Sequence, residues 1–65
     1  MEIVNNREKT GTEFHSLSKV AHRLGLSRMT VYRYVVAKKL PAYRFGSHYR
    51  VRESDLADFI ARYKV

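Results

Sequence analysis

The sequence predicts a small, mostly α domain that also contains one β-hairpin. Apolar residues recur with the period of an amphipathic helix in three segments. The period changes to two between Ala42 and Val51, which is typical of paired strands. The predicted order is helix, tight turn, helix, hairpin and helix, within residues 14–65. Residues 1–13 are polar and follow neither period, which predicts a flexible N-terminal leader.

The first predicted helix begins after Ser16, because serine is a favourable N-cap residue. Gly25 supplies a residue that adopts the left-handed conformation at the end of a helix, and Ser27 is placed to cap a second helix at once. Between Ser16 and Gly25, one apolar stripe recurs at i, i+3, i+4 and i+7, and it consists of Leu17, Val20, Ala21 and Leu24. Two helices joined by so short a turn form a helix-turn-helix.

The second predicted helix runs from about Arg28 to Lys38, and Pro41 excludes any longer helix. Its apolar side consists of Val31, Tyr34 and Val35. A rotation of 100° per residue places a different set of side chains on the outward side and flanks: Met29, Thr30, Tyr32, Arg33, Val36 and Ala37. This helix therefore presents Arg, Thr and Tyr outward.

The hairpin has two possible loop lengths. A two-residue Gly46–Ser47 loop would pair Phe45 with His48 and place Phe45 and Tyr49 on opposite faces. A three-residue loop pairs Phe45 with Tyr49 instead. We prefer the three-residue loop because it separates an apolar face from a basic one, namely Tyr43, Phe45, Tyr49 and Val51 from Arg44 and Arg50.

The last predicted helix runs from about Glu53 to Tyr63. Acidic residues lie in its first turn and basic residues in its last, which suits the helix dipole. Its apolar stripe consists of Leu56, Phe59, Ile60 and Tyr63. We predict that this stripe, the other helical stripes and the apolar face of the hairpin pack together in one core. No apolar patch would then remain for a dimer, so we expect a monomer in solution.

Charge is distributed unevenly along the 65 residues, whose net charge is +7. Between Phe14 and Arg52 there is no Asp or Glu, yet this segment holds nine Lys or Arg residues and all three His. Such a one-signed segment with core periodicity favours a surface that binds a polyanion over a basic protein that is merely well solvated. The sequence has neither cysteine nor a long apolar run, which excludes disulfides and predicts a cytoplasmic protein.

Neither catalysis nor metal binding is predicted. His15, His22 and His48 follow no ligand spacing. Asp55 and Asp58 share a helix face, but no nucleophile–base pair and no phosphate-binding glycine loop accompanies them. We therefore expect a non-enzyme without a cofactor, a metal or a small-molecule substrate.

Three longer motifs point to a family. They read L-S-K-V-A-H-R-L-G-L-S-R-M-T-V-Y-R-Y from Leu17, K-L-P-A-Y-R-F-G from Lys39, and Y-R-V-R-E-S-D-L from Tyr49. Together they closely resemble the excisionase family of winged helix-turn-helix DNA-binding domains, which is related to the DNA-binding head of MerR-type regulators. The resemblance implies a small prokaryotic or phage protein. It also implies that the second helix enters the major groove of duplex DNA while the hairpin wing contacts the backbone or the minor groove.

Candidate DNA contacts follow from the outward helix face and from this resemblance. The predicted recognition-helix residues are Arg28, Met29, Thr30, Tyr32, Arg33 and Val36. The predicted wing and backbone residues are Lys38, Lys39, Arg44, Ser47, His48 and Arg50. Ser16 and Ser27 are predicted to cap helix N-termini that favour phosphate. The chain departs from the family in having Lys38 where glycine is usual and Ser47–His48 at a wing tip that is commonly basic.

Several of the aromatic residues have a second reading, as platforms on which the bases of a single strand stack. These residues are Tyr34, Tyr43, Phe45 and Tyr49. Their spacing matches core packing, so packing is the preferred interpretation.

Three functional classes are ranked. The first is a sequence-specific duplex DNA-binding protein, used either as an excisionase-type recombination directionality factor or as a small transcription regulator. The absence of a dimerising coiled coil favours the excision factor, which would load as several copies on repeated sites, bend the DNA and act with an integrase. The second class is a basic module that binds an acidic protein partner. RNA binding ranks third, because the deep, narrow major groove of A-form RNA does not admit a helix.

Overall fold

The computed structural model describes residues 13–65. In chain order these residues form β1 (Phe14–Ser16), α1 (Leu17–Leu24), α2 (Arg28–Val36), β2 (Tyr43–Phe45), β3 (His48–Arg52) and α3 (Glu53–Arg62). This is a winged helix-turn-helix, as the sequence predicts. Apart from its last residue, the predicted leader of residues 1–13 lies outside the described residues.

The ends of α1 and α2 are fixed by the residues at the tight turn. Ser16 Oγ accepts a hydrogen bond from the Lys19 N–H at 3.1 Å, so the first turn of α1 has a side-chain cap. Gly25 ends α1 with φ +72°, which glycine adopts without a steric cost. Ser27 Oγ then accepts from the Thr30 N–H at 3.1 Å and starts α2. The two helices are therefore joined within three residues.

The C-terminus of α2 differs from the sequence prediction. The helix ends at Val36 rather than near Lys38, and Lys38 adopts a left-handed φ of +66°. The Lys38 N–H donates to Val35 O at 3.0 Å and the Lys39 N–H donates to Tyr34 O at 2.9 Å, which is the Schellman pattern. Lys38 thus ends the helix in the left-handed conformation that glycine usually adopts at this position. For a residue with a side chain this conformation has a steric cost.

The sheet has three antiparallel strands in the order β1-β3-β2. Strand β1 was not predicted from the sequence; it pairs Phe14 with Arg52 and Ser16 with Arg50. The predicted three-residue hairpin loop is wrong, because Phe45 pairs with His48 across a two-residue loop. Gly46 has φ +65°, and a glycine with positive φ at the first loop position is typical of a type II′ hairpin turn.

This register changes the predicted faces of the hairpin. Arg44 pairs with Tyr49 and Tyr43 pairs with Arg50, so Arg44 and Arg50 lie on opposite faces. The prediction of one apolar and one basic face is therefore wrong. Tyr43 and Phe45 lie on the face opposite Val51, where the Phe14 ring meets their rings edge-on at 5.4 and 5.3 Å. We call these three rings the outer aromatic cluster: Phe14, Tyr43 and Phe45.

The core lies between the inner face of the sheet and the three helices. Its buried side chains are Leu17, Val20, Ala21, Val31, Leu40, Val51, Leu56 and Phe59. Ile60 and Tyr63, which were predicted to complete the stripe of α3, are exposed. With Leu24 and Leu26 they line an apolar groove of about 420 Å³. The prediction that no apolar surface remains outside the core is therefore wrong.

Within residues 13–65, no helix has both the length and the apolar character needed to cross a membrane. The same part of the chain contains no group of three or more His, Asp or Glu side chains placed to hold a metal ion.

Candidate nucleic-acid interface

The outward face of α2 is exposed. Arg33 is an exposed cation on this face, and Arg28 is an exposed cation in the first turn of the helix. Met29 and Val36 are 54% and 57% accessible. Thr30 is half-buried, and its Oγ1 lies 2.9 Å from Ser27 Oγ in a hydrogen bond at the start of the helix. The exposed surface of α2 therefore combines cations with apolar side chains.

Contacts between aromatic rings connect α2 to the wing. The Tyr32 ring lies 5.9 Å from the Tyr49 ring in an edge-on arrangement. The Arg44 guanidinium lies over the other ring of this pair, 5.8 Å from the Tyr49 centroid. Arg44 Nε also donates to Gly46 O at 3.2 Å, which holds the side chain near the hairpin loop. Tyr32 thus joins α2 to the wing while it remains partly exposed. Arg44 lies on the side of the wing that α2 contacts.

The other wing residues have different surroundings. Arg50 is half-buried on the outer face of the sheet, where β3 pairs it with Tyr43 on one side and with Ser16 on the other. Ser47 and His48 are exposed at the hairpin loop. The wing therefore presents Arg44 and Arg50 in opposite directions, with a polar tip between them.

Lys38 and Lys39 lie exposed in the turn that follows α2. The carbonyl of Lys39 accepts a hydrogen bond from Arg62 Nη2 at 3.0 Å, which ties this turn to the end of α3. Both ammonium groups therefore project from a fixed backbone beside α2.

One cluster of charges was missed by the sequence analysis. Glu53 Oε1 lies 2.6 Å from His15 Nε2 and 2.9 Å from Arg23 Nη1, so it joins β1, α1 and α3. Hydrogen bonds from Arg23 and then from His15 lower the pKa of Glu53, and the bond to Glu53 raises the pKa of Arg23. The partners are 30 and 38 residues apart in sequence, so no local pattern indicates them. The cluster compensates the charge of Arg23.

Replacing Glu53 is expected to give a pH-dependent loss of stability. A carboxylate whose folded pKa is lowered stabilises the native state above the pKa of its unfolded form, and this contribution disappears as the pH falls through the folded pKa. The stability difference between the parent protein and Glu53→Gln should therefore be full at pH 7 and shrink below pH 4.5, the ordinary pKa of the residue. Urea denaturation at several pH values measures it.

Asp58→Asn is the matched control for Glu53→Gln, because it removes an exposed carboxylate from the same helix. We expect Asp58→Asn to change the free energy of unfolding by less than about 0.5 kcal/mol at pH 7. Equal losses for the two variants, or a Glu53→Gln loss that stays constant into the acid range, would contradict a structural role for the cluster.

The chain belongs to a helix-turn-helix domain family whose members are excisionase-like DNA-binding domains, because the family model matches residues 16–64. The match extends from the N-cap of α1 past the end of α3 and therefore includes the tight turn, α2 and the wing. No curated protein matches the chain, and no solved structure matches it. Family and fold together define a DNA-binding helix-turn-helix protein.

Proposed function

We propose that the protein binds duplex DNA sequence-specifically and acts as an excisionase-type recombination directionality factor. In this proposal α2 lies in the major groove and reads base edges through its outward face, while Arg28 in the first turn contacts phosphate. The proposed base-reading residues are Met29, Thr30, Tyr32, Arg33 and Val36. The integrase that such a factor would redirect is a proposed partner. Family membership supports DNA binding.

The single observation that carries this proposal is the position of the exposed face of α2 beside the wing. An α-helix with its side chains is about 10–12 Å across, which fits a major groove about 12 Å wide. The ring contact between Tyr32 and Tyr49 fixes the wing next to the helix, so both elements can meet one duplex. Neither Arg28 nor Arg33 takes part in an ion pair within residues 13–65, so no carboxylate of this part of the chain neutralises them.

The N-termini of α1 and α2 support backbone contacts. Neither helix has an acidic residue in its first turn, whereas α3 has two. Since helix N-termini attract anions, the ends capped by Ser16 and Ser27 are available to phosphate. The proposed wing and backbone contacts are Lys38, Lys39, Arg44, Ser47, His48 and Arg50.

Duplex affinity is expected to depend steeply on salt concentration. Two of the nine basic residues between Phe14 and Arg52 form ion pairs within the described part of the chain, namely Arg23 and Arg52. If about six of the others contact phosphate, log K should fall with log salt at a slope near −5, from roughly −0.9 per contact. Fluorescence anisotropy across a salt series measures the slope, and a slope shallower than about −2 would exclude a polyanion-binding surface of this size.

Loading on repeated sites tests the excisionase role. We expect a monomer in solution, whose copies contact one another only when the DNA has aligned them. Smoothly bending about 20–30 bp of DNA by 40–90° costs on the order of 1–6 kcal/mol, so several copies would share that cost. Sedimentation of the free protein and mobility shifts on one, two and three direct repeats should show a monomer that binds cooperatively.

The alternative to the excisionase role is a small helix-turn-helix transcription regulator. The exposed groove lined by Leu26, Ile60 and Tyr63 favours this candidate, since it offers surface that a dimer could bury. A stable dimer without DNA, together with a footprint on a single inverted repeat, would support the regulator and contradict the excision factor.

A further inference from the structure

The outer aromatic cluster is an exposed apolar surface that the DNA-binding face does not use. Phe14, Tyr43 and Phe45 keep 44%, 39% and 51% of their surfaces accessible, although each ring contacts the other two. The planes of Tyr43 and Phe45 are 9° from parallel, with centroids 6.3 Å apart. Two nearly parallel rings are therefore presented on the side of the sheet that faces away from the core.

Basic side chains are interleaved with these rings. Arg50 pairs with Tyr43 across the strands, and His48 pairs with Phe45. The Arg52 guanidinium lies 5.5 Å from the centroid of the Tyr43 ring. Among the strand residues 14–16, 43–45 and 48–52 none carries a carboxylate, and on the outer face Arg52 forms an ion pair with Asp55 of α3 at 3.5 Å. The outer face is therefore both cationic and aromatic.

We propose that this outer face binds single-stranded nucleic acid. Unpaired bases would stack on Tyr43 and Phe45, while Arg50, which is also a proposed duplex contact, neutralises an adjoining phosphate. Core packing would otherwise explain the spacing of these aromatics, but the two-residue loop turns Tyr43 and Phe45 away from the core, so that explanation does not apply to them. An acidic peptide would pair with the cations only. An unpaired nucleic-acid strand would pair with the cations through its phosphates and would also supply flat bases that can stack on the two parallel rings.

Binding of labelled oligonucleotides tests the proposal. The probes are oligo-dT and oligo-U of about 12 nucleotides, and an abasic strand of the same length that keeps the phosphates but has no bases. We expect oligo-dT or oligo-U to bind more tightly than the abasic strand at equal salt concentration. If both base-containing probes bind equally, the site recognises features shared by DNA and RNA, and a preference between them identifies the 2′-hydroxyl as a contact.

Phe45→Leu is the decisive variant, because it removes the ring of an exposed residue and keeps apolar bulk. It should lower affinity for the base-containing probe roughly five- to 150-fold, the range for loss of one stacked base, without changing affinity for the abasic strand. Tyr43→Leu should act in the same direction. Arg33→Ala, on α2, is the control and should preserve the preference for bases. Circular dichroism establishes that each variant is folded.

Two results would overturn the proposal. The first is equal affinity of the parent protein for abasic and base-containing strands, which would mean that only charge is recognised. The second is that a peptide of glutamate and phenylalanine binds in a Phe45-dependent manner while the oligonucleotides do not bind. That result would mean that the outer face binds an acidic protein. Duplex binding through α2 is measured separately, so either result leaves that function intact.

Discussion

Leu40→Ala is expected to destabilise the domain by about 2–5 kcal/mol, because it removes a fully buried side chain and leaves a cavity. Leu40 is 1% exposed and lies in the segment between α2 and the wing. The core of a chain this short yields about 3–5 kcal/mol of net stability, so the variant should be largely unfolded at 25 °C. Urea denaturation followed by circular dichroism measures the change.

Leu26→Ala is the matched control for Leu40→Ala, since it deletes the same atoms from a residue that is 39% exposed. We expect it to cost about 1 kcal/mol or less, because little apolar area is returned to water. Comparable losses at the two positions would mean that Leu40 does not anchor the segment between α2 and the wing in the core.

Arg33→Ala is expected to reduce affinity for the cognate duplex by about 1–3 kcal/mol, with little loss on random DNA. The reason is that an exposed arginine on the outward face of α2 can donate two hydrogen bonds to guanine, which is the commonest specific base contact. A competition assay with cognate and random duplexes measures discrimination directly.

Arg44→Ala and Arg50→Ala are the controls for the recognition helix. A residue that neutralises phosphate contributes similarly to every sequence, so these variants should weaken both duplexes alike. If Arg33→Ala also lowers affinity equally for both duplexes, the outward face of α2 is not the base-reading surface.

The helices could be predicted because their signals are local. Ser16, Gly25 and Ser27 mark three helix ends by their side chains or their conformational freedom, and the structure uses each of them. The apolar spacing also identifies the buried residues of α1 and the first part of α3. The apolar spacing wrongly predicts that Ile60 and Tyr63 are buried. It continues to the C-terminal end of α3, where the neighbouring elements no longer cover the helix.

The hairpin could not be predicted correctly from its own alternation. The predicted register requires one apolar face inside the core, but the aromatic residues of β2 pack on the outer face against Phe14. That partner belongs to β1, a strand of three residues that shows no period of its own. The Gly46–Ser47 dipeptide was the available signal for a two-residue loop, since glycine followed by serine is typical of such hairpins.

Only part of the candidate interface could be predicted from the sequence. The outward face of α2 follows from helical geometry, so the exposure of Arg33 could be expected. The ring contact of Tyr32 with Tyr49 and the charge cluster around Glu53 depend on how distant elements meet. No spacing within one element could have indicated those contacts.

The central position of β3 has a mechanical consequence. Because β3 is hydrogen-bonded to β1 on one side and to β2 on the other, the wing is an extension of the folded body rather than a free two-stranded arm. The stem of the wing therefore has little conformational entropy left to lose when it meets a ligand. Any mismatch in shape between the wing and a duplex must be absorbed by the DNA, so the sequences that the protein prefers would include those that deform easily.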